Sequence, residues 1–202
     1  MSSLEADKVV LTISILNSKF EVDSEYAKVS SFFTTWLECH PSTCPSEFEV
    51  TIEVLKGMKK PEVAIEGIVQ YMNITKGIRQ DLVPQPLKEV VPGEKGMRAY
   101  VCKLKDTPEI VEDDEKKCDV CNVGNKTEEE PPSGPEEPKN FELADFIDNY
   151  VEKNGMTGLY EMMGYSNFLG INPLLYLCCA KMALMMKDKT LEEIKTLVES
   201  GL

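Results

Sequence analysis

The sequence predicts an α+β fold, and three observations carry that reading. Lys8 to Leu16 contains the run V-V-L-T-I-S-I-L, whose β-branched, alternating character suits a half-buried strand. Asn167 to Gly201 writes two helices with their own punctuation. Between these ends, Phe141 to Glu152 brings Phe141, Leu143, Phe146, Ile147 and Tyr150 together at helical spacing.

Taken in order, Asn17-Ser18 is a turn and Lys19 to Val22 a second short strand. Asp23 or Ser24 caps a helix through about Val29, and Ser30 caps the next, whose inner face is Phe32, Phe33, Trp36 and Leu37. From Cys39 to about Asp81 a segment partly repeats the start of the chain. Phe48-Glu49-Val50, Glu53 and Lys56 stand in the same relative positions as Phe20-Glu21-Val22, Glu25 and Lys28. A tandem duplication and a chance likeness of short amphipathic stretches both account for this. If folded, the segment is expected as a strand and a helix (Val63, Ile65, Ile68, Val69, Met72) packed on the side of the domain.

Glu94 to Lys105 is expected to be a helix with Met97, Tyr100, Val101 and Leu104 on one face. From Asp106 to Lys139 the composition changes to acidic runs broken by prolines. That tract lacks the apolar surface to offset its ordering entropy and reads as a disordered loop. Gly158 to Met163 starts the helix that leads into Tyr165 and Asn167. Asn172 then reads as an N-cap with Pro173 at the first helical position. The following helix runs to about Met186 with Lys181 as its only charge, so it is buried all round or awaits a partner. Thr190 and Glu193 form a capping box for a last helix with Leu191, Ile194, Leu197 and Val198 on one stripe and Gly201 as its stop.

The C-terminal stretch resembles the S-phase kinase-associated protein (Skp) family, adaptors that hold F-box proteins onto cullins in ubiquitin ligases. The family pattern N-Y-L-D-I-x-x-L-L-x-x-x-C-x-x-x-A-x-M-I-x-G-K-T-x-E-E-I is matched without a gap by Asn167, Leu169, Ile171, Leu174, Leu175, Cys179, Ala183, Met185, Lys189, Thr190, Glu192, Glu193 and Ile194. Phe168, Gly170, Met186 and Asp188 depart from it. Near the start, Phe20-Glu21-Val22-Asp23, Glu25, Ala27, Lys28 and Ser30 resemble the family block F-E-V-D-x-E-x-A-K-x-S.

The resemblance implies a BTB/POZ-like domain over 1–105, with the stretch at about 40–81 as an inserted or partly duplicated segment and the family's V-P-x-P strand at Leu82 to Leu87, then an acidic loop over 106–140 and a C-terminal helical extension over 141–202. It also implies a non-catalytic adaptor, cytoplasmic and nuclear, joining F-box proteins to a cullin. Carried over by position, Asn167 and Phe168 fall at the cullin-contacting pair, with a phenylalanine where the family has tyrosine. Leu174, Leu175, Cys178, Met182, Ile194 and Leu197 are the expected F-box-binding residues, and Tyr176 replaces an acidic residue of the pattern. The family pattern continues into a further helical tail that clasps the F-box. The sequence stops at Leu202, before that tail, and a weakened adaptor, a decoy that occupies cullin and an adaptor for unusually compact F-box partners are equally open expectations, with a divergent BTB scaffold as the alternative to all three.

Composition bounds the alternatives. The 202 residues carry a formal charge of −13, which disfavours nucleic acid and anionic membranes as partners because both reward clustered Lys and Arg. No apolar leader follows Met1, and Phe168 to Met186 is interrupted by Asn172, Pro173 and Lys181, so neither secretion nor a membrane span is expected. The seven cysteines then read as free thiols of a reducing compartment. Cys118 and Cys121 form one CxxC pair, and Cys39, His40 and Cys44 add three soft ligands; a zinc site requires these to converge. No metal or other cofactor is expected, and no phosphate loop or serine elbow is present, so no enzyme is expected. Six of the ten methionines lie between Met156 and Met186, either as core filling or as an adaptable docking surface.

Overall fold

The structure, a computed structural model, describes residues 9–39, 47–79, 82–91, 93–101 and 141–201. The expected acidic loop, together with His40, Cys44, Cys118 and Cys121, lies outside these residues. What is described is a mixed α+β fold.

Strands β1 (Val10–Ile15) and β2 (Ser18–Asp23) form an antiparallel hairpin, in register from Val10 opposite Asp23 to Ile15 opposite Ser18. Alternation decides which face is buried: Leu11, Ile13 and Ile15 are fully enclosed. Helix α1 (Ser24–Ala27) follows directly, and the Glu25 N–H donates to the Asp23 carboxylate at 2.9 Å as its cap. Helix α2 (Ser31–Cys39) is capped by Ser30, whose Oγ accepts from the Phe33 N–H at 3.2 Å. Both caps are the ones the sequence predicts. Of the expected inner face of α2, Phe33 alone is fully buried, while Phe32, Trp36 and Leu37 are half-exposed.

The next strand corrects the expected layout. β3 (Glu47–Thr51) pairs in parallel with β1 and completes a three-stranded sheet of order β2-β1-β3. Helix α3 (Pro61–Thr75) follows and lies in the middle of the molecule rather than on its side. Ala64, Ile65, Ile68 and Met72 are fully buried, and α3 packs against the sheet, α1 and the next long helix. Pro61 sits in its first turn, where a missing N–H costs nothing.

No strand forms over 82–91. Pro84 and Pro86 remove ladder donors there, and β1 already has a partner on each edge. Within the stretch expected as a helix from Glu94, the described residues form only a 3₁₀ turn, Gly96–Ala99, because Gly93 and Gly96 both take positive φ (86° and 63°). Met97, Ala99 and Val101 are nevertheless buried.

Helix α4 (Glu142–Phe168) is two helices joined at Gly155, whose φ of 69° and ψ of −167° no helix contains. This agrees with the two separate helical segments predicted at Phe141–Glu152 and from Gly158. Its second half fastens the loop before α3. The Glu161 carboxylate, 2 % exposed, accepts from the Lys59 N–H at 2.6 Å and the Lys60 N–H at 2.9 Å, and the Tyr165 hydroxyl accepts from the Leu55 N–H at 3.1 Å.

Helix α5 (Asn172–Met186) starts one residue earlier than its expected cap implies. Ile171 is the cap residue, fixed by full burial and by its N–H donating to the Ser166 carbonyl at 2.8 Å; Asn172 is already helical. Lys181 is satisfied by Asp148 of α4 at 2.7 Å, with both side chains largely shielded. Helix α6 (Leu191–Gly201) carries the predicted capping box: the Thr190 N–H donates to Glu193 Oε2 at 2.7 Å, and the Glu193 N–H donates to Thr190 Oγ1 at 3.3 Å. The Thr190 N–H bond holds the Glu193 carboxyl below its ordinary range.

The buried Glu161 carboxylate is the polar partner of two backbone donors, so Glu161→Ala should lower the unfolding free energy by roughly 1–2 kcal/mol. Urea denaturation of wild type and variant measures this; equal midpoints would mean that water replaces the carboxylate at no cost.

Candidate functional site

Two surfaces follow from this fold. The first lies where α2 meets the turn between α4 and α5. Asn167 and Phe168, the last residues of α4, are exposed, and the Phe168 ring is left 44 % open although Leu169 beside it is fully buried. The Phe168 ring packs 5.7 Å from Phe32, which meets the buried Phe33 edge-on at 5.3 Å. Trp36, one turn further along α2, stands edge-on to Phe48 of β3 at 6.1 Å. Ser31, Phe32, Thr35, Trp36, Cys39 and Phe168 together line an open groove of about 520 Å³. Such a surface supplies contact area and aromatic edges, with affinity coming from apolar burial rather than from charge.

Sequence reasoning assigned Asn167 and Phe168 to this surface but gave Phe32 and Trp36 to the core. The signal that separates them is the register of α2: with Phe33 directed inward, its neighbour Phe32 and the residue three further on, Trp36, fall to the flank.

The second surface is the outer face of α5 with α6. The six residues expected there do not share one environment. Leu174 and Cys178 are fully buried against α4, on the same stripe as Leu177, so they belong to the core and offer a partner no surface in this structure. Positions four apart share a face, and this face is the one α4 covers. Leu175, Met182 and Ile194 are half-exposed. The side chain of Leu197 lies outside the described set. Tyr176, 37 % exposed, is joined on the open side by Cys179 and Ala183, and Leu191 at the start of α6 is 78 % exposed. Met163 of α4 reaches this surface as well, its Sδ accepting from the Cys179 thiol at 3.7 Å. A partner approaching α5 therefore meets Leu175, Tyr176, Cys179 and Met182.

Burial separates the two adjacent thiols. It pushes Cys178 far above the ordinary thiol range, and Cys179 up by a lesser amount. Among the described residues no group of three or more His, Cys, Asp or Glu side chains converges as a metal site, and Cys39 is a free, exposed thiol. Among them, too, no helix is long and apolar enough to cross a membrane.

Residues 172–198, covering α5 and most of α6, match the family model described as the Skp1 family, dimerisation domain. No curated protein gives a match. The similarity is confined to that C-terminal segment.

The thiol environments make a direct prediction. In the folded protein an alkylating reagent should modify Cys39 and Cys179 and leave Cys178 unmodified until denaturant is added, as read by mass spectrometry with Cys179→Ser resolving the adjacent pair. Because its pKa is raised, Cys179 has less thiolate than an unburied thiol at a given pH. Its modification rate should keep climbing at pH values where a free cysteine has levelled off.

Proposed function

From the match of residues 172–198 to the Skp1 family's dimerisation domain, we propose that the chain is a member of that family and a non-catalytic adaptor that joins F-box proteins to a cullin within an SCF-type ubiquitin ligase, cytoplasmic and nuclear, with no cofactor. The observation that carries this reading is the α5–α6 segment itself. It matches the family's dimerisation domain, it opens α6 with an intact capping box, and it leaves Leu175, Met182 and Ile194 only half-covered. The sheet order β2-β1-β3, with β3 parallel to β1 and helices following, supports a BTB/POZ-like core.

In this reading the two surfaces have separate tasks. The aromatic groove ending at Asn167 and Phe168 receives the cullin. Phe168 offers ring area without a hydroxyl, so the contact there is apolar. Leu175, Met182 and Ile194 receive the F-box, with Tyr176 on the same open side of α5 as a determinant of which sequences fit. Helix-in-groove docking of this kind draws on buried apolar area, at about 25 cal/mol per Å² before the costs of association.

A tagged-protein capture read by mass spectrometry tests the proposal. Wild type should recover cullin and F-box proteins together. Asn167→Lys/Phe168→Lys should lose cullin by about tenfold or more and keep F-box proteins, because it replaces an aromatic ring of the apolar contact and places two charges at its end. Met182→Glu/Ile194→Glu should give the reverse pattern. Recovery of neither partner with wild type would overturn the adaptor reading.

A further inference from the structure

The aromatic groove is assembled from two chain segments far apart in sequence, and only a few bonds hold them in register. Ser30 stands at the junction. It is fully buried, and its hydroxyl makes two bonds at once: it donates to the Leu169 carbonyl at 2.6 Å and accepts from the Phe33 N–H at 3.2 Å. The Leu169 carbonyl accepts a second bond from the Phe32 N–H at 3.2 Å. The oxygen next to Phe168 is therefore tied to the first turn of the helix that carries Phe32 and Trp36. Ser31 adds a longer bond to the Gly170 carbonyl at 3.4 Å. Gly170 has φ +67°, and a Cβ there would run into Ser31 Oγ, so the α4–α5 turn approaches α2 as closely as a bare backbone allows.

We propose that Ser30 is the positioning residue of the groove: by capping α2 and gripping Leu169 with one hydroxyl, it sets the spacing between Phe32 and Phe168, and thereby the shape a docking partner meets. The chemistry is specific to a small hydroxyl. A cap alone needs only an acceptor for the Phe33 N–H, and a tie to Leu169 alone needs only a donor. Serine and threonine supply both from one buried atom. The role of the groove as the cullin-docking surface rests on the function proposed above; the role of Ser30 in shaping it does not.

The test separates these two claims. Trp36 is the only tryptophan in the chain and lines the groove, so its emission and its quenching by acrylamide report groove geometry with no partner present. Ser30→Ala, Ser30→Thr and Gly170→Ala are compared with wild type. Met72→Ala serves as a control that destabilises the buried α3 without touching the groove. In folded protein at low temperature, Ser30→Ala and Gly170→Ala should shift Trp36 emission to the red and raise its quenching constant. Ser30→Thr should restore the wild-type signature, and Met72→Ala should retain it despite a lower melting temperature. Cullin capture should fall about tenfold for Ser30→Ala and recover in Ser30→Thr.

Trp36 emission and quenching unchanged in folded Ser30→Ala would overturn the positioning role, as would the same change appearing in Met72→Ala. If wild type captures no cullin, the adaptor reading fails, and the fluorescence comparison still decides the role of Ser30.

Discussion

The enclosure of α3 is the constraint on which the rest of the structure depends. A helix that buries Ala64, Ile65, Ile68 and Met72 completely brings its ends against other elements, and those elements supply partners for its terminal backbone groups. Its N-terminal approach is answered by Glu161, a carboxylate that is itself buried and that spends both oxygens on the Lys59 and Lys60 N–H groups. Its C-terminal end is answered by a left-handed turn: Lys76 takes φ 50° and Gly77 takes φ 79°, where a Cβ would strike the Glu25 carbonyl. In the middle, Gly67 lets the Tyr150 ring lie directly on the helix, a Cβ at that point coming within 2.5 Å of it. Each of these devices fixes a second element, so enclosing α3 also fixes α1 and both halves of α4.

From α4 the ordering spreads to the two surfaces. Asp148 joins α4 to α5 through Lys181, and its other oxygen accepts from the Met97 N–H at 3.4 Å, bringing the 3₁₀ turn into the same junction. Leu174, Leu177 and Cys178 close the apolar side of that contact. α5 consequently presents its remaining positions outward in a fixed orientation, although it is apolar on nearly every side. A helix of this composition has no preferred face by itself; the face is chosen by α4.

That point explains which parts of the molecule were legible in the sequence. Local signals were read correctly wherever the answer was local. The β1–β2 hairpin, the Asp23 and Ser30 caps, the Thr190–Glu193 capping box and the separate helices on either side of Gly155 are each set by a few neighbouring residues. The misreadings share a different cause. The strand carried from the family pattern onto Leu82–Leu87 does not form, and the strand expected before Pro61 on the side of the domain is instead a partner of β1 at Glu47–Thr51. Whether a short run becomes the partner of β1 depends on what else competes for that edge, and no window of sequence contains the competition. Leu174 and Cys178 were placed on a docking face by family position, and how far α4 covers that face could not be read from α5, which has no periodicity of its own. Phe32 and Trp36 were assigned to the core because a nine-residue helix with four large apolar side chains does not declare how many of them the core can hold.

The aromatic groove follows from the same limit on space. The pocket under α2 accepts Phe33 completely, and the sheet and α3 have already filled the rest with Leu11, Ile13, Ile65 and Ile68. Phe32 and Trp36 are consequently excluded and lean on Phe168 and Phe48 instead, which makes them a partial core without a cover. Scattered exposed apolar residues are ordinary on a protein surface, but rings from two segments, held at stacking distance by buried hydrogen bonds, are more than scatter. Such a surface gains little from further packing within the chain, because the Ser30–Leu169 tie and the close approach at Gly170 prevent the two sides from collapsing together. In the adaptor reading proposed above, two sides held apart in this way lower the entropy a partner must overcome on docking. The outer face of α5 is held by different contacts, through Asp148 and the stripe around Leu177. Changes at the two surfaces should therefore combine additively, as expected for sites that share a rigid scaffold but no contacting residues.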